Sequence, residues 1–388
     1  IKRNLSETEN VIRRSHEMIK NFHARWSVMN AKIRDMTKEE LDTPCLVINL
    51  DILDRNLMKM ANSVQTTLRP HIKTHKCPIL AKKQLDAGAV GITCAKVGEA
   101  EVMAKARIND ILIANQIVGK RKIARLLDLT SENFVRVIVD DPTNVKELAA
   151  AAKTRKTELH VLVELDVGLH RCGVQPGEPA LELVRTVMAS RRLVFDGIEF
   201  YEGHVGKLSD PDERKCETEK SIELAIQTKE LIEKNGIPVE VVSSGGTCTY
   251  AITGRYPGIT EIRPGSYVFM DTKYRRVMPD FEYALTILTT VISTPRPNRA
   301  VIDAGSKSMT QDNGIPKVLH PEGWRLVWMN EEHGILERIN GAPLSIGDKV
   351  EIIPSHSCTT VNLYDQFWVI QKGTLKAVWD ISARGKLR

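Results

Sequence analysis

The stretch LHVLVELDVGLHRCGVQPGEPALELVRTVMASRRLVFDGIEFY, residues 159–201, determines the fold that we predict for this chain. It contains two apolar runs, LHVLVELD (159–166) and FDGIEFY (195–201), which are typical of buried strands. Between them, PALELVRTVMAS (179–190) has the apolar spacing of an amphipathic helix. A strand, a helix and a second strand in this order predict a parallel pair joined by a crossover helix.

The same alternation extends on both sides of this stretch. Eight apolar runs follow the first one, CLVINL (45–50), and eight is the number of strands that closes a barrel. An open doubly wound sheet is the alternative, but its first turn is usually glycine-rich, whereas NLDILDRNL (49–57) contains no glycine. We therefore predict an α/β fold, a (β/α)8 TIM-type barrel. The remaining runs are TLRPHIK (67–73), GITCA (91–95), DILIANQI (110–117), FVRVIVD (134–140), VEVVSSGG (239–246) and TEIRPGSYVF (260–269).

The pattern changes on either side of the barrel segment, which we assign to residues 44–275. After about residue 276 the chain consists of short β-rich runs joined by Pro, Gly and Asn turns, with no convincing helix. We therefore predict a C-terminal all-β domain at 276–388. Residues 1–43 have helical apolar spacing and predict an N-terminal helical arm, whose many acidic residues argue against a transit peptide.

The composition limits the classes of function. The 55 basic and 49 acidic residues are interspersed along the chain, which argues against a nucleic-acid partner. No apolar run is long enough to span a membrane, and the first residues lack the apolar core of a signal peptide. The seven cysteines are scattered and include no CxxC pair. These features predict a reducing, cytoplasmic location.

The first candidate site is RPHIKTHKC (69–77), where Lys73 ends an extended run. Functional side chains of a barrel lie at the carboxyl ends of its strands, where burial and nearby cations can lower the pKa of a lysine. Such a lysine is nucleophilic. A solvated surface lysine is the alternative, but His71, His75 and Lys76 cluster around Lys73 and favour a site.

Three further strand ends carry polar or glycine-rich segments. Arg171 follows the run at 159–166 and could donate a forked hydrogen bond to an anionic oxygen, although a simple pairing with Asp166 is the alternative. The loops after the last two strands expose backbone N–H groups where barrels commonly bind a phosphate, and two ordinary tight turns are the alternative. The candidates in these loops are Ser243, Ser244, Gly245, Gly246, Thr247, Gly265 and Ser266.

The β domain contains a pair of potential metal ligands in PSHSCTTVNLYD (354–365). In a strand, His356 and Cys358 would project to the same face. Imidazole and thiolate suit Zn²⁺ well, although a lone His-x-Cys is often coincidental. Any other ligands would be water, substrate or a residue elsewhere in the chain.

Together these motifs resemble the fold-type III pyridoxal-phosphate (PLP) enzymes, whose barrel is shared with alanine racemase. The closer resemblance is to the metal-activated branch that contains D-threonine aldolase, D-serine dehydratase and D-threo-3-hydroxyaspartate dehydratase. It extends from about residue 42 to residue 385, about nine tenths of the chain. Its other landmarks are GAVGITCAKVGEAEVM, VIDAGSKSM and EEHG.

The resemblance implies a role for each matching residue. Lys73 would carry PLP as a Schiff base and remove the α-proton of the substrate, and Arg171 would hold the phenolic oxygen of PLP. Arg263 would lie beside the pyridine nitrogen. The catalytic candidates are Lys73, Tyr201 and His204, and the metal candidates are His356 and Cys358. The candidates for binding PLP are Lys73, His71, Arg171, Tyr201, Ser244, Gly245, Gly246, Thr247, Arg263, Gly265 and Ser266.

The same resemblance leads us to expect a dehydratase. In this branch the aldolases carry Asp at the second ligand position with ions such as Mn²⁺, and the dehydratases carry Cys with Zn²⁺, so Cys358 favours the latter. The aldolases also have a histidine shortly after the sixth strand, following YHG. Here the stretch is YEGHVGKL (201–208), with Lys207 near that place and His204 earlier. We therefore expect a homodimeric, PLP- and metal-dependent dehydratase that converts D-serine or D-threo-3-hydroxyaspartate into a 2-oxo acid and ammonia.

Three alternatives remain open. The first is a D-threonine aldolase, in which the bond between Cα and Cβ breaks to give glycine and an aldehyde. The second is a non-catalytic PLP carrier, which would lack the β domain and the metal pair. The third is a racemase, which would need a second base such as Tyr364.

Overall fold

The computed structural model describes residues 36–388, so most of the expected N-terminal arm lies outside the described residues. The strands of this part of the chain form two sheets, one parallel and one largely antiparallel. In chain order the first nine strands are β1 (Cys45–Asn49), β2 (Thr67–Leu68), β3 (Ile92–Cys94), β4 (Asp110–Gln116), β5 (Phe134–Val139), β6 (Leu159–Leu165), β7 (Leu193–Phe200), β8 (Val241–Ser244) and β9 (Glu261–Ile262).

Strands β2 to β9 form a closed parallel barrel. Their order is β2-β9-β8-β7-β6-β5-β4-β3, and every neighbouring pair is parallel. The ring closes between β2 and β3, because Val90 N–H donates to the Leu68 carbonyl at 2.9 Å and Thr93 N–H donates to the Pro70 carbonyl at 2.8 Å. The predicted (β/α)8 barrel is confirmed.

The barrel helices begin at the residues that favour helix starts. Asp141 caps the helix Pro142–Arg155 by accepting hydrogen bonds from Thr143 N and Asn144 N, and a proline occupies its first turn. Among residues 36–388, no helix combines the length and the apolar character needed to cross a bilayer. The remaining helices of this half are Leu50–Ser63, Pro78–Asp86, Val97–Lys105, Lys120–Leu129, Glu178–Met188, Pro211–Lys234, Tyr250–Thr253 and Thr272–Val277.

The barrel interior is layered. Leu112, Ile138 and Leu162 form a small apolar cluster, separate from the main core between barrel and helices. On one side of this cluster, at the amino ends of the strands, lies a network of ion pairs. At the carboxyl ends the inward positions face a cavity, because side chains two residues apart share a face of a strand. The ion-pair network contains Arg69, Asp110, Arg136, Asp196 and Glu261.

The second sheet forms the predicted β domain. It differs from the prediction in two respects, one in each half of the chain. Strand β1 joins this sheet, although its residues lie inside the segment assigned to the barrel; it is antiparallel to β10 and parallel to β16. A short helix, Ser357–Val361, interrupts the domain, where we expected no helix. The strands are β10 (Leu285–Arg296), β11 (Arg299–Ile302), β12 (Lys317–His320), β13 (Trp324–Met329), β14 (Gly334–Arg338), β15 (Lys349–Ile353), β16 (Gln366–Gln371) and β17 (Thr374–Asp380).

Candidate active site

A cavity of about 250 Å³ lies at the carboxyl ends of the barrel strands. This is the face at which barrels place their functional groups. Most residues singled out from the sequence line it. Four acidic or amide side chains that were not singled out line it as well: Asn115, Gln116, Glu164 and Glu199. The singled-out residues in its wall are His71, Lys73, Arg171, Tyr201, Gly245, Gly246, Thr247, Arg263, Gly265 and Ser266.

Lys73 is half-buried in the cavity wall, on the short 3-10 helix Ile72–Thr74 that follows β2. Burial lowers its pKa; the nearby Cys358 opposes this effect, and the charges of Arg171 and Arg263 reinforce it. His71 accepts a hydrogen bond at Nδ1 from the backbone N–H of Lys73 at 3.3 Å. Burial also lowers the pKa of His71 well below its usual range, so the imidazole is neutral. The site therefore favours a neutral, nucleophilic amine at Lys73.

Tyr201 directly follows β7, and its ring lies near two cations. The Nζ of Lys73 lies 5.8 Å from the centre of its ring, and the guanidinium carbon of Arg171 lies 5.7 Å from it. Arg171 also lies 3.6 Å from Glu164, whereas Asp166, the partner considered from the sequence, hydrogen-bonds His170 at 2.9 Å. Arg171 is thus held at the cavity by a residue inside the barrel.

Arg263 is buried and only partly satisfied. Its Nη2 donates to Glu199 and to the Phe200 carbonyl at 2.8 Å, but its buried Nε has no hydrogen-bond partner. Burial and the adjacent Glu199 raise the pKa of Glu164 to about 7. Sequence reasoning missed both acids, because LHVLVELD and FDGIEFY resemble apolar strands although every second residue points into the barrel.

The glycines of the two loops pack so closely against neighbouring groups that a side chain would not fit without a shift. A Cβ at Gly265 would lie 2.9 Å from the His71 carbonyl oxygen, and a Cβ at Gly246 would lie 3.1 Å from the ring of Tyr201. Gly245 has a φ of +80°, a conformation that favours glycine. The glycines therefore present backbone, without side chains, to the cavity that they line. The N–H groups of Gly245 and Gly246 themselves donate to Glu202 and to the Thr249 hydroxyl.

A buried glutamate supports the first of these loops from below. Glu202 accepts hydrogen bonds from the hydroxyls of Ser244, Thr249 and Thr253, each at 2.7 Å. Ser244 is therefore engaged beneath the loop and does not line the cavity. The sequence offered a signal for Glu202, since it is the residue that departs from the YHG pattern.

His204 and Tyr364, which were considered from the sequence, lie away from the cavity wall, and Ser243, His356 and Cys358 do not line it either. The ring of His204 faces Gly168, since a Cβ at Gly168 would lie 3.2 Å from it, and its Nδ1 is buried without a hydrogen bond. Tyr364 is also absent from the wall, and its buried hydroxyl has no partner. The 3-10 helix Gly203–Lys207, which follows β7, carries His204 past the cavity.

His356 and Cys358 meet beside Lys73, although not for the reason expected. They do not lie in a strand: β15 ends at Ile353, His356 precedes the helix Ser357–Val361, and Cys358 lies within that helix. The Cys358 thiol lies 3.2 Å from the Thr74 hydroxyl. Burial opposes ionisation of both side chains. A mutual hydrogen bond nevertheless lowers the pKa of Cys358 and, together with Asp312, raises that of His356 to about 9.

No third side-chain ligand completes this pair within residues 36–388. The one group of three or more clustered ligand atoms in the described chain comprises Asp140, Glu164 and Cys172, within 4.8 Å of one another. Gln116 donates to Asp140 at 3.0 Å and also to Glu164, so amide hydrogen bonds account for part of that cluster.

The fold and the site define a barrel enzyme with a cofactor pocket. Residues 48–273 match the family model for the alanine racemase N-terminal domain, and residues 284–370 match that of a serine dehydratase domain. The chain belongs to the fold-type III PLP enzymes, in the branch of aldolases and dehydratases, and is a PLP-dependent lyase.

Three relatives illustrate this likeness. The chain is 36% identical to 3-hydroxy-D-aspartate aldolase of Paracoccus denitrificans, over 90% of this chain and 94% of the relative. D-threonine aldolase from Filomicrobium marinum has a solved structure with a TM-score of 0.89 and 36% identity, covering 92% of this chain and 99% of that one. D-threo-3-hydroxyaspartate dehydratase of Delftia sp. is 31% identical, over 82% and 92% of the two chains.

The residues present fit the family cofactor. The free Nε–H of Arg263 is a buried donor without a partner, as expected beside a ring nitrogen that accepts a hydrogen bond. Glycine, serine and threonine residues of the two loops line the cavity, as expected of a phosphate site. A thiolate and an imidazole also form a suitable donor set for a borderline-soft divalent ion.

Proposed function

We propose that the chain is a PLP- and divalent-metal-dependent dehydratase of β-hydroxy-D-amino acids. The supporting observation is the position of Cys358, 3.2 Å from the residue that follows Lys73. A β-hydroxy amino acid carries its reacting proton and its leaving hydroxyl on adjacent carbons. The amine that handles the first group and the ligand pair that handles the second must therefore lie side by side.

The cavity residues divide into three groups in this proposal. When bound, PLP supplies an electron sink for the α-carbon, and the divalent ion supplies a Lewis acid for the β-hydroxyl. Arg171 binds the phenolic oxygen of the cofactor, and Arg263 donates its free Nε–H to the pyridine nitrogen. Lys73 anchors the cofactor, and His356 with Cys358 binds the ion. The phosphate is held by Gly245, Gly246, Thr247, Gly265 and Ser266, with Ser244 beneath them.

Lys73 also moves the proton. Burial lowers its pKa, which favours the neutral amine that can remove the α-proton of the substrate. Loss of the β-hydroxyl as water then gives an unsaturated product, which takes up water in solution and yields a 2-oxo acid and ammonia. Tyr201 lies near both Lys73 and Arg171 and forms part of the cavity wall. His204 has no step in this scheme because its ring faces Gly168.

The ligand pair supports the dehydratase over its alternatives. Of two solved variants of D-threo-3-hydroxyaspartate dehydratase, one replaces a histidine by alanine and the other replaces a cysteine two positions later. The cysteine variant is in the metal-free form. This chain has the same spacing at His356 and Cys358. A soft thiolate ligand favours Zn²⁺ over Mn²⁺.

A D-threonine or 3-hydroxy-D-aspartate aldolase is the second candidate. The identity of 36% to aldolases, against 31% to the Delftia dehydratase, favours it. The same cavity would then remove the proton of the β-hydroxyl and break the bond between Cα and Cβ. Glycine and an aldehyde would be released instead of ammonia.

A product assay separates these candidates. The purified protein with PLP is incubated with D-serine, D-threonine and 3-hydroxy-D-aspartate, with Zn²⁺ or with EDTA. We expect a visible absorption band from lysine-bound PLP. We also expect a 2-oxo acid and ammonia to form in equal amounts, and EDTA to abolish the formation of both products. EDTA-sensitive glycine and an aldehyde would establish the aldolase. An absorption band without any product would support a PLP carrier.

We also propose that the chain forms a homodimer. Trp328, Ile339 and Ile346 of the β domain are each more than 60% exposed, which is unusual for large apolar side chains. Light scattering on the purified protein tests this proposal. A monomer at micromolar concentration would contradict it.

A further inference from the structure

Asp312 contacts the proposed metal pair from outside the cavity. This residue lies between β11 and β12, and its Oδ2 hydrogen-bonds Nδ1 of His356. Its other oxygen accepts a hydrogen bond from the Thr359 hydroxyl at 3.2 Å. The Thr359 hydroxyl in turn lies 2.6 Å from that of Thr310. The carboxylate is therefore fixed from both sides, although the residue itself reaches solvent.

This contact determines which nitrogen of His356 can bind a metal ion. A neutral imidazole carries one N–H and one free lone pair, and the partner of one nitrogen fixes the state of the other. With Nδ1–H donated to Asp312, loss of the second ring proton on metal binding leaves the lone pair on Nε2. Cys358 lies within hydrogen-bonding reach of the same ring, so the available lone pair and the thiolate serve one site.

We propose that Asp312 is a positioning residue of the metal site, which holds His356 in the tautomer and orientation that bind the ion. This inference rests on the metal site of the proposed function. The carboxylate of Asp312 also adds one negative charge near the thiolate of Cys358. These two negative charges together balance the charge of a divalent ion. Partners of this kind behind a ligating histidine raise its basicity, and their loss typically lowers metal affinity about 10–100-fold.

A purely structural role is the rival explanation, in which Asp312 only ties its loop to the helix Ser357–Val361. The two roles predict different measurements. The side chain of Asp312 is 44% exposed, so its replacement leaves no buried cavity and no buried unpaired charge. A structural tie would change the unfolding temperature, whereas a positioning role changes metal affinity at constant stability.

The test measures Zn²⁺ affinity of the PLP-loaded protein by competition with a chromophoric chelator. We expect Asp312→Ala to weaken Zn²⁺ binding about 10–100-fold. Asp312→Asn keeps a hydrogen-bond acceptor but loses the charge, so its affinity should lie between those of Asp312→Ala and the wild type. Asp312→Glu should recover part of the loss. The visible spectrum of bound PLP and the unfolding temperature should stay unchanged in all three variants.

Asp365→Asn is the matched control, since Asp365 is an exposed aspartate of the same domain whose carboxylate pairs with Arg384 at 3.2 Å. It should bind Zn²⁺ as the wild type does. Wild-type affinity in Asp312→Ala, together with lost affinity in His356→Ala, would overturn this inference alone. Wild-type affinity in both variants would overturn the metal site of the proposed function as well.

Discussion

The thiol of Cys358 lies 3.2 Å from the hydroxyl of Thr74, although 284 residues separate the two positions in the chain. This contact joins the β domain to the turn that carries Lys73. The helix Ser357–Val361 packs against the 3-10 helix Ile72–Thr74, so the two halves of the site come from different domains. Both domains must therefore be in place before Lys73 and the proposed ligand pair come together.

Replacing Lys73 should abolish the reaction. We expect Lys73→Ala to lower kcat by at least about 10²–10⁴-fold, because the amine that we propose as the base for the α-proton is lost. The visible band of lysine-bound PLP should disappear at the same time. Lys207→Ala, which changes an exposed lysine, is the control and should retain both. Normal turnover in Lys73→Ala would disprove the assignment.

Replacing Cys358 by Asp should change the metal preference. A carboxylate is a harder ligand than a thiolate, so Cys358→Asp should bind Zn²⁺ more weakly relative to Mn²⁺ than the wild type does. Affinities for both ions, measured by chelator competition, test this expectation. Cys216→Ser changes an exposed cysteine and should leave the ratio unaltered. An identical ratio in Cys358→Asp would show that the thiol does not bind the ion.

Adding one methyl group at Gly265 should weaken cofactor binding. The new Cβ of Gly265→Ala would lie 2.9 Å from the His71 carbonyl oxygen and 3.1 Å from the Thr74 hydroxyl. These two residues precede and follow Lys73 in the chain. The turn must shift, and we expect PLP affinity to fall about tenfold or more, which is about 1.4 kcal/mol. Fluorescence titration with PLP measures it. In Gly206→Ala the nearest contact is 3.4 Å, so that variant should bind PLP normally.

The pH dependence of stability should reflect Glu164. Burial and Glu199 raise its pKa from 4.5 to about 7, so the folded protein keeps a proton that the unfolded chain releases. Stability is therefore lost as the pH rises from about 4.5 to about 7, and the penalty is constant above that range. A shift of this size corresponds to about 3 kcal/mol.

Glu164→Gln removes this ionisation. Its unfolding temperature in the cofactor-free protein should exceed that of the wild type at pH 8, and the difference should shrink towards pH 5. Glu182→Gln, on the exposed face of the helix Glu178–Met188, should show no such trend. A difference that is constant with pH would contradict the raised pKa of Glu164.

The ion pairs at the amino ends of the strands should matter for stability alone. Arg69 is buried and pairs with Glu261 at 2.8 Å and Asp110 at 2.6 Å. Arg69→Met would leave the buried Glu261 without its cation, at a cost of about 3–5 kcal/mol. Arg55→Met breaks an exposed pair with Glu282 and should cost at most about 1 kcal/mol. Urea unfolding of both variants makes the comparison.

The barrel could be predicted from sequence because its information is local. Each strand and helix has its own periodicity and its own start signal, such as Asp141 before Pro142. The sheet to which β1 belongs could not be predicted in this way. Its residues Cys45–Ile48 are all buried, and such a strand fits a parallel barrel as well as a central position in another sheet.

The site residues also differ in whether a local sequence pattern could reveal them. Lys73 and the glycine loops follow strands, so the barrel rule locates them. The pair of His356 and Cys358 was found by spacing, but the strand geometry used for it was wrong; the pair meets because a helix begins between the two residues. Asp312 and Glu202 depend on contacts across 44 and more than 40 residues, which no local pattern encodes.

The position of β1 also determines how the chain can be divided. Ile48 pairs with Leu285, and Asn49 N–H donates to the Ala284 carbonyl at 2.9 Å, so the chain enters and leaves the barrel at hydrogen-bonded neighbours. Topologically the barrel is an insertion between two adjacent strands of the β domain, the arrangement in which insertions are tolerated. An expression fragment of residues 44–275 would contain β1 without β10 and β16, the two strands with which it pairs. Residues 50–284 are the natural module for transplanting this barrel into another scaffold.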